Sequence, residues 1–247
     1  ITLSNKSLNK IQKKMKQNAL IFGSNGTIGS AIYQKMLSTK EYRIFTAGKS
    51  EKKESKDHIS IDYNFENLKN YFSNLPTLEV IIWAHGLNCS DKISNFNYQD
   101  LTGLLNSNVL FIASCINELG NLNKISTGAR LLVVSSIWQI ESRKNKFSYT
   151  VSKSALQGLI KSSAIDLGED NILINAVLPG VIDSPMTRKH LSSEQIHAVK
   201  KQTALNRLTK PEDIANTVSF LVSNQNKSIT GQSFVVDGGF IGSKNNL

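Results

Sequence analysis

The segment ALIFGSNGTIG at residues 19–29 places a short apolar run directly before a glycine-rich turn. Apolar residues then recur at helical spacing, at Ile28, Ala31, Ile32 and Leu37, so the segment predicts a strand, a tight turn and a helix. Glycine allows positive φ and close backbone approach, and a helix N-terminus offers free N–H groups to a pyrophosphate. The segment therefore predicts the phosphate cradle that dinucleotide-binding folds place after their first strand.

Apolar runs and helical patterns alternate along the rest of the chain without a linker. The helical patterns include residues 101–119, 149–167 and Pro211–Leu221. This alternation predicts an α/β fold of the doubly wound, Rossmann type, with a seven-stranded parallel sheet covered by helices on both faces. The predicted strands comprise residues 19–22, 43–46, 59–61, 80–84, 130–135, 173–177 and 234–236.

Length and composition fit one large domain. The chain has 247 residues, of which 40% are hydrophobic, enough for a sizeable core. No apolar run is long enough to span a bilayer, so we expect no membrane partner. We expect residues 18–247 to form a single domain and residues 1–17 to form a basic extension outside it. This extension contains no acid and five lysines: Lys6, Lys10, Lys13, Lys14 and Lys16.

The formal net charge of +10 raises the question of nucleic-acid binding, since clustered lysines attract phosphate backbones. No recognition motif accompanies the charge, so we predict no nucleic-acid partner. The two cysteines, Cys89 and Cys115, have no ligand-like partners in the sequence, which predicts a reducing, cytoplasmic location. The four histidines show no metal-ligand spacing, and we predict no metal site.

Tyr149 and Lys153 lie four residues apart, so a helix would place both side chains on one face. An ammonium beside a phenol favours the phenolate, and we expect Lys153 to lower the pKa of Tyr149 from its usual value of about 10. Ser136 ends the apolar run 130–136, so its hydroxyl is expected to reach the same point from the sheet. These three residues predict a site for proton transfer.

Taken together, the motifs resemble the short-chain dehydrogenase/reductase family, in its compact branch, which includes 3-oxoacyl-acyl-carrier-protein reductases and carbonyl reductases. The resemblance covers residues 18–240. Beyond the glycine turn and the three residues above, it rests on Asp62, Asn108, Pro179-Gly180 and Asp237-Gly238-Gly239.

The resemblance implies an oxidoreductase that interconverts a ketone and a secondary alcohol with NAD(P)(H). In this interpretation Tyr149 exchanges the proton, Ser136 holds the carbonyl oxygen, and Lys153 also binds the nicotinamide ribose. Asn108 would anchor a water in the proton relay, with Asn106 as the competing assignment. The four catalytic residues implied are therefore Asn108, Ser136, Tyr149 and Lys153.

The residues after the second strand favour NADP(H) over NAD(H). An acid at the end of this strand selects NAD by binding the ribose hydroxyls, but here the position is Gly48 and Lys49 follows. A cation stabilises a 2′-phosphate. The cofactor-binding residues implied by the resemblance are Gly23, Ser24, Asn25, Thr27, Ile28, Gly29, Lys49, Asp62, Ala84, Gly86, Tyr149, Lys153, Pro179, Gly180, Ile182 and Ser184.

Two segments depart from the family pattern. The glycines Gly23, Gly26 and Gly29 occupy turn positions one, four and seven, a spacing typical of the family's extended branch. The family's Asn-Asn-Ala-Gly segment is replaced by residues 83–86, WAHG. The asparagine's hydrogen bonds must therefore be supplied in another way, and we expect His85 to pack beside the cofactor.

The residues between Ser136 and Tyr149 indicate a polar or anionic small-molecule substrate. Trp138 and the basic cluster of Arg143, Lys144 and Lys146 lie there. Residues 183–207 are expected to form a substrate lid, in which Arg188 is available to an anion. The alternatives are a 3-oxoacyl-acyl-carrier-protein reductase, whose carrier is acidic, and a non-catalytic NADP-sensing regulatory protein. The three candidate substrate residues are Trp138, Arg143 and Arg188.

Both long helical patterns, 101–119 and 149–167, carry apolar residues on more than one face. A helix that is apolar nearly all round is covered on its outer side as well. The family pairs these helices across a two-fold axis and makes a second two-fold contact through the C-terminal strand region, residues 234–239. The two contacts together imply a homotetramer here, with a dimer as the alternative.

Overall fold

Seven strands form one all-parallel sheet in the computed structural model, which describes residues 16–49, 57–63 and 66–243. The strands are β1 Gln17–Phe22, β2 Tyr42–Gly48, β3 His58–Ser60, β4 Leu78–Trp83, β5 Ile125–Val134, β6 Leu173–Pro179 and β7 Ser233–Val236. Their order in the sheet is β3-β2-β1-β4-β5-β6-β7, and every neighbouring pair is parallel. The order runs outward in both directions from β1 and β4.

Helices follow the strands and cover both faces of the sheet. The described α-helices are α1 Thr27–Thr39, α2 Leu68–Phe72, α3 Tyr98–Leu105, α4 Phe111–Asn121, α5 Phe147–Asp166, α6 Pro185–His190, α7 Ser193–Lys201 and α8 Pro211–Leu221. One hydrophobic cluster packs α2, α4 and α5 on the sheet, and a second packs α1 and α8 on the opposite face. The doubly wound α/β fold is confirmed.

The alternation of side chains along β1 shows how one strand supplies both cores. Leu20 and Phe22 belong to the first cluster, whereas Ala19 and Ile21 belong to the second. Because successive side chains in a strand point to opposite faces, a strand covered on both sides has to be apolar throughout. The run from residue 19 to residue 22 is fully buried for this reason.

All seven predicted strands are present, although their ends differ. The largest difference is at β5, which begins at Ile125 rather than at residue 130. The predicted boundary of the basic extension also changes, because Gln17 is the first residue of β1 and pairs with Tyr42. Residues 1–15 of that extension lie outside the described residues.

Residues 101–119 are helical throughout, as predicted, but they do not form a regular α-helix along their whole length. Between α3 and α4 the chain forms a π-helical turn, Asn106–Leu110, whose wider ring places one extra residue in the helix. The physical reason lies in Asn108, whose side chain points inward and binds backbone groups of Leu87. These bonds offset the poorer geometry of the turn. The spacing of apolar residues in the sequence does not reveal one extra residue inside an apolar helix.

Across the ranges that the structure describes, none of the helices combines the length and the apolar character needed to cross a bilayer.

Candidate active site

The predicted site residues meet at the carboxyl ends of the strands. The glycine turn follows β1, residues 84–87 follow β4, Ser136 follows β5 and Gly180 follows β6. In parallel sheets, ligands bind in the crevice outside these ends, where the strand order reverses. A groove of about 360 Å³ lies at this point, between the glycine turn and residues 84–87.

The glycine turn is shaped for close approach. Gly23 has a φ of +76°, and a Cβ on it would lie 2.7 Å from the backbone nitrogen of His85. A Cβ on Gly29 would collide with the carbonyl oxygen of Gly23. The turn therefore admits no side chain at either position, and it keeps the start of α1 close to β1 and β4.

The start of α1 fits a pyrophosphate. Gly26 is its N-cap, and within the described ranges no side chain hydrogen-bonds to this end of the helix. Residues 27–30 contain no acid that would repel an anion. The first N–H groups of the helix are thus free to bind phosphate oxygens. The spacing of one, four and seven retains a phosphate cradle, and Ser24, Asn25, Thr27 and Ile28 lie in or beside it.

The adenosine end of the groove is lined by Gly48, Lys49 and Tyr63. Lys49 is exposed, and its Nζ lies 5.7 Å from the centroid of the Tyr63 ring. Asp62 is exposed at the end of β3, next to this part of the groove. The residues present therefore fit a dinucleotide, and a contact of Lys49 with a 2′-phosphate stays a prediction.

Residues 83–86 replace the family's polar segment with aromatic packing. The Trp83 ring stacks on Phe22, with ring centroids 5.7 Å apart. His85 stacks on Tyr63 at 4.5 Å and meets Phe111 edge-on at 5.2 Å. Burial lowers the pKa of His85 to about 3, so its ring is neutral. Its Nε2 donates to the Ser107 carbonyl at 3.1 Å, which leaves Nδ1 without the proton.

Asn108 joins the π turn to the loop after β4. Its Oδ1 accepts a hydrogen bond from the Leu87 N–H at 2.8 Å, and its Nδ2 donates to the Leu87 carbonyl at 3.1 Å. Nδ2 also donates to Ser152 Oγ on α5 at 3.1 Å. Asn108 rather than Asn106 makes these contacts, and its side chain fixes backbone at the groove.

Ser136, Tyr149 and Lys153 are brought together as predicted. Ser136 is not the last residue of β5, which ends at Val134, but the N-cap of a short 3₁₀ turn, Ile137–Gln139. Its Oγ accepts from the Trp138 N–H at 3.3 Å, so its own proton points elsewhere. Lys153 Nζ lies 5.7 Å from the centroid of the Tyr149 ring.

The expected lowering of the Tyr149 pKa below its usual value is wrong. Burial raises the pKa of Tyr149 above its usual value, and hydrogen bonding with the Ser136 side chain opposes this rise only in part. Lys153 is itself only 3% exposed, and burial lowers its pKa to about 8. Burial thus disfavours the charged form of both groups.

The remaining residues predicted to bind the cofactor lie at the end of β6 and just after it. Pro179 ends β6, and a Cβ on Gly180 would lie 2.7 Å from the Cβ of Asp237. Ile182 pairs with Thr209 in an isolated parallel bridge. Ser184 caps α6, with its Oγ accepting from the Thr187 N–H at 3.1 Å. A nicotinamide contact from Ser184 stays a prediction.

The candidate substrate residues are spread over two segments. The Arg143 guanidinium lies 5.5 Å from the centroid of the Trp138 ring, so these two residues form one surface. Arg188 lies on α6 and is ion-paired with Asp183 at 2.5 Å. Its charge is therefore already partly neutralised. Binding of substrate by any of the three stays a prediction.

Sequence reasoning did not assign Tyr63, Leu87 or Ser107 to the groove that they line. Tyr63 directly follows the predicted Asp62, and Ser107 directly precedes Asn108, so adjacency to predicted residues was the available signal. Leu87 likewise directly follows the predicted Gly86, but its contact with the Asn108 side chain, which lies on another element, has no signal in the sequence.

The groove fits a pyrophosphate at its glycine turn, and Lys153 lies beside Gly86 in its lining, next to Tyr149 and Ser136. This is the arrangement of a dinucleotide-dependent oxidoreductase. Comparisons with known proteins agree. A protein-family model described as "Enoyl-(Acyl carrier protein) reductase" matches residues 57–241. The 3-oxoacyl-acyl-carrier-protein reductase FabG of Rickettsia bellii is 30% identical over 236 residues, which cover 91% of this chain and 97% of that protein.

Solved structures are similar over nearly the whole chain. A short chain dehydrogenase family protein from Francisella tularensis superposes with a TM-score of 0.84 at 25% identity, covering 92% of this chain and 100% of the other. A 4-hydroxyisoleucine dehydrogenase complexed with NADH shares the fold, with a TM-score of 0.84 at 23% identity and coverage of 92% and 99%. The chain belongs to the short-chain dehydrogenase/reductase family, a family of NAD(P)-dependent oxidoreductases that act on CH–OH and C=O groups.

Proposed function

We propose that this protein reduces the carbonyl group of a polar or anionic small molecule with NADPH. The observation that carries the proposal is the cluster of Ser136, Tyr149 and Lys153, in which the buried Lys153 lies beside Gly86 in the lining of a groove that fits a dinucleotide. The full set of Asn108, Ser136, Tyr149 and Lys153 argues against a protein that only senses NADP.

In this mechanism NADPH, when bound, supplies the hydride for the carbonyl carbon. The Ser136 hydroxyl, whose oxygen already accepts from Trp138 N–H, donates a hydrogen bond to the carbonyl oxygen and keeps its proton. Tyr149 gives its proton to the same oxygen as general acid. Burial keeps Tyr149 protonated at neutral pH, which suits a proton donor.

Lys153 and Asn108 support the proton donor. The Lys153 ammonium stabilises the tyrosinate that remains after transfer. Asn108 holds the backbone of Leu87, so the wall of the groove keeps its position during the reaction.

We further propose that the cofactor is NADP(H) rather than NAD(H). A similar fold holds NADH, so the choice depends on local residues. Here the end of β2 carries Gly48 instead of an acid, and the exposed Lys49 stands at the mouth of the groove.

Lys49→Ala should weaken NADPH binding about 5- to 30-fold, equivalent to about 1–2 kcal/mol for a charge-assisted contact, and leave NADH binding unchanged. Fluorescence titration of the two reduced cofactors measures both affinities. Lys49→Arg, which retains the cation, is the matched control. Equal affinities of the parent protein for NADPH and NADH would contradict the assignment.

For the substrate, the exposed Arg143 beside Trp138 favours a polar or anionic molecule. A 3-oxoacyl-acyl-carrier-protein reductase is the second candidate. It is favoured by the 30% identity to the Rickettsia bellii reductase and by the net charge of +10, which suits an acidic carrier.

Oxidation of NADPH by the purified protein against a panel of carbonyl compounds tests this proposal. The panel includes a sugar ketone, an anionic ketone and a 3-oxoacyl thioester, the last both free and on acyl carrier protein. A requirement for the carrier would select the second candidate. Tight NADPH binding without turnover on any member would support the sensing protein instead.

Residues 17–247 are proposed to form one catalytic domain in the cytoplasm, with residues 183–207 as its substrate lid. The lid contains α6 and α7, and both of its ends are anchored. At the first end, Asp183 N–H donates to the Thr209 carbonyl at 2.8 Å. At the second, Leu205 N–H donates to the Gly238 carbonyl at 3.1 Å.

A homotetramer is proposed from the outer faces of the helices. Leu110, Val151 and Ile165 are 48%, 38% and 80% exposed, although their helices are otherwise packed on the sheet. Val235 in β7, at the edge of the described sheet, is 42% exposed. Two such self-complementary faces close into a dihedral tetramer. Light scattering should give four times the mass of the chain, and a stable monomer at micromolar concentration would refute the assembly.

A further inference from the structure

Lys146 is a buried lysine at the start of the catalytic helix. It is the N-cap residue of α5 and is 6% exposed. Its Nζ donates to Asn88 Oδ1 at 2.8 Å, to the Cys89 carbonyl at 2.8 Å and to Ser90 Oγ at 3.0 Å. An ammonium has three protons, and each of them has an acceptor here. Lys146 is therefore occupied by the protein and is not available to an anionic substrate.

The same two segments are joined by two further hydrogen bonds, again with the donors at the start of α5 and the acceptors on the loop after β4. Asp91 Oδ1 accepts a hydrogen bond from the Ser148 N–H at 3.0 Å, and the Asp91 carbonyl accepts from the Phe147 N–H at 3.4 Å. Asp91 thus satisfies two N–H groups in the first turn of α5, where no earlier turn supplies acceptors. Residues 88–91 and the first turn of α5 form one hydrogen-bonded joint.

This joint continues the contact made by Asn108. The Asn108 amide holds the backbone of Leu87, and Lys146 holds the next three residues. Leu87 lines the cofactor groove. The loop after β4 is therefore fixed at the groove by one side chain and at the catalytic helix by another.

Lys146 also places a charge beside Tyr149. Its Nζ lies 5.5 Å from the centroid of the Tyr149 ring, and Lys153 Nζ lies 5.7 Å from the same centroid. Tyr149 is thus flanked by lysines three residues before it and four residues after it. A cation at a helix N-terminus is disfavoured by the helix dipole. The three hydrogen bonds of Lys146 offset this cost.

We propose that Lys146 is a positioning residue of the active site, which locks residues 88–90 onto the first turn of α5 and holds a fixed positive charge beside Tyr149. The inference rests on the proposed role of Tyr149 as proton donor. It also assigns different roles to members of the basic cluster of Arg143, Lys144 and Lys146. Arg143, beside Trp138, remains available to a substrate, whereas Lys146 is hydrogen-bonded within the protein.

Other charged and titratable groups face this joint from three sides. Lys153 lies on α5, Cys89 and Asp91 lie on the loop after β4, and Arg143 lies before α5. Burial and the Arg143 charge lower the pKa of Lys146, whereas Cys89 and Asp91 raise it. The kinetic test therefore has to separate the charge of Lys146 from the hydrogen bonds that it makes.

Lys146→Met removes the charge and the hydrogen bonds at nearly constant length. We expect kcat to fall about tenfold, with a smaller change in the KM of the carbonyl substrate. The alkaline limb of the kcat profile should move upward by about one pH unit, because a cation close to Tyr149 no longer favours its ionised form. Lys146→Arg, which keeps the charge, should keep the parent pH profile. A Lys146→Met profile that coincides with the parent profile would overturn the proposal.

Two controls keep the result interpretable. Lys161→Met replaces an exposed lysine of the same helix and should leave kcat and the pH profile unchanged. If Lys146→Met does not fold, the double variant Asn88→Ala and Ser90→Ala retains the charge but loses two acceptors. It should lower kcat without moving the pH profile, and a parent-like kcat would refute the locking role.

The charge effect is also measurable without turnover. Ultraviolet titration of the cofactor-free protein, taken as the difference from Tyr149→Phe, follows the phenolate of Tyr149. Lys146→Met should shift this titration upward, and an unshifted titration would contradict the charge effect. Failure of the proposed function has a different signature, namely a parent protein that reduces no carbonyl or a Tyr149→Phe variant that retains full turnover.

Discussion

Tyr149→Phe should lower turnover by about two to four orders of magnitude, the range for loss of general acid catalysis. Phenylalanine fills the same space on α5 but has no proton to give to the carbonyl oxygen. Ser136 and Lys153 remain in place, so the loss reports the proton transfer rather than a collapse of the site. Steady-state kinetics with the best carbonyl substrate of the panel, at saturating NADPH, measures the effect.

The binding of NADPH provides the control for this variant. Fluorescence titration should show an affinity close to that of the parent, because the groove and the glycine turn are unchanged. Turnover within a few fold of the parent would remove Tyr149 as proton donor. Loss of NADPH binding together with turnover would instead indicate that the variant has a damaged groove.

Lys153→Met should abolish most of the turnover and at the same time stabilise the cofactor-free protein. Lys153 is fully buried, and its pKa is lowered from 10.5 to about 8 by burial. This difference in pKa corresponds to a loss of about 3 kcal/mol in the free energy of unfolding at neutral pH, because the folded protein holds the Lys153 ammonium in its charged form. Methionine fills a similar volume without a charge. The free energy of unfolding of the Lys153→Met variant should therefore be higher than that of the parent by up to about 3 kcal/mol at pH 7.

The pH dependence has a defined sign. Because the folded pKa of Lys153 is below the unfolded one, the unfolded chain binds more protons between about pH 8 and pH 10.5. The stability of the parent therefore rises with pH across this window relative to Lys153→Met. Denaturant unfolding of both proteins at several pH values measures this. A stability gap that stays constant from pH 7 to pH 10 would contradict the burial cost assigned to Lys153.

The sequence predicted the sheet well because its strands are covered on both faces. Each such strand has to be apolar throughout, as residues 19–22 are, and this pattern needs no knowledge of neighbouring elements. The glycine turn, Ser136, Tyr149 and Lys153 were also predictable, since each depends on local spacing or on the end of a strand. Their meeting at one edge follows from the parallel order of the strands.

Features that depend on contacts between distant segments were not predictable. The π turn exists because Asn108 reaches Leu87, which lies 21 residues earlier. The ammonium of Lys146 looked like part of a substrate-facing basic cluster until its acceptors at residues 88–90 were seen. The pKa of Tyr149 was misjudged for a related reason: spacing shows the neighbouring lysine, but burial depends on the whole fold.

The π turn at Asn106–Leu110 constrains the number of residues in this part of the chain more strongly than it constrains their identity. One residue of an α-helix corresponds to a rotation of about 100°. Deletion of a single residue here would restore regular winding and turn α3 by that angle relative to α4, which would move Leu104 and the apolar face of α3 away from their packing. Change in this segment is therefore confined to exchange of one side chain for another, because a gain or loss of one position alters the phase of the whole helix.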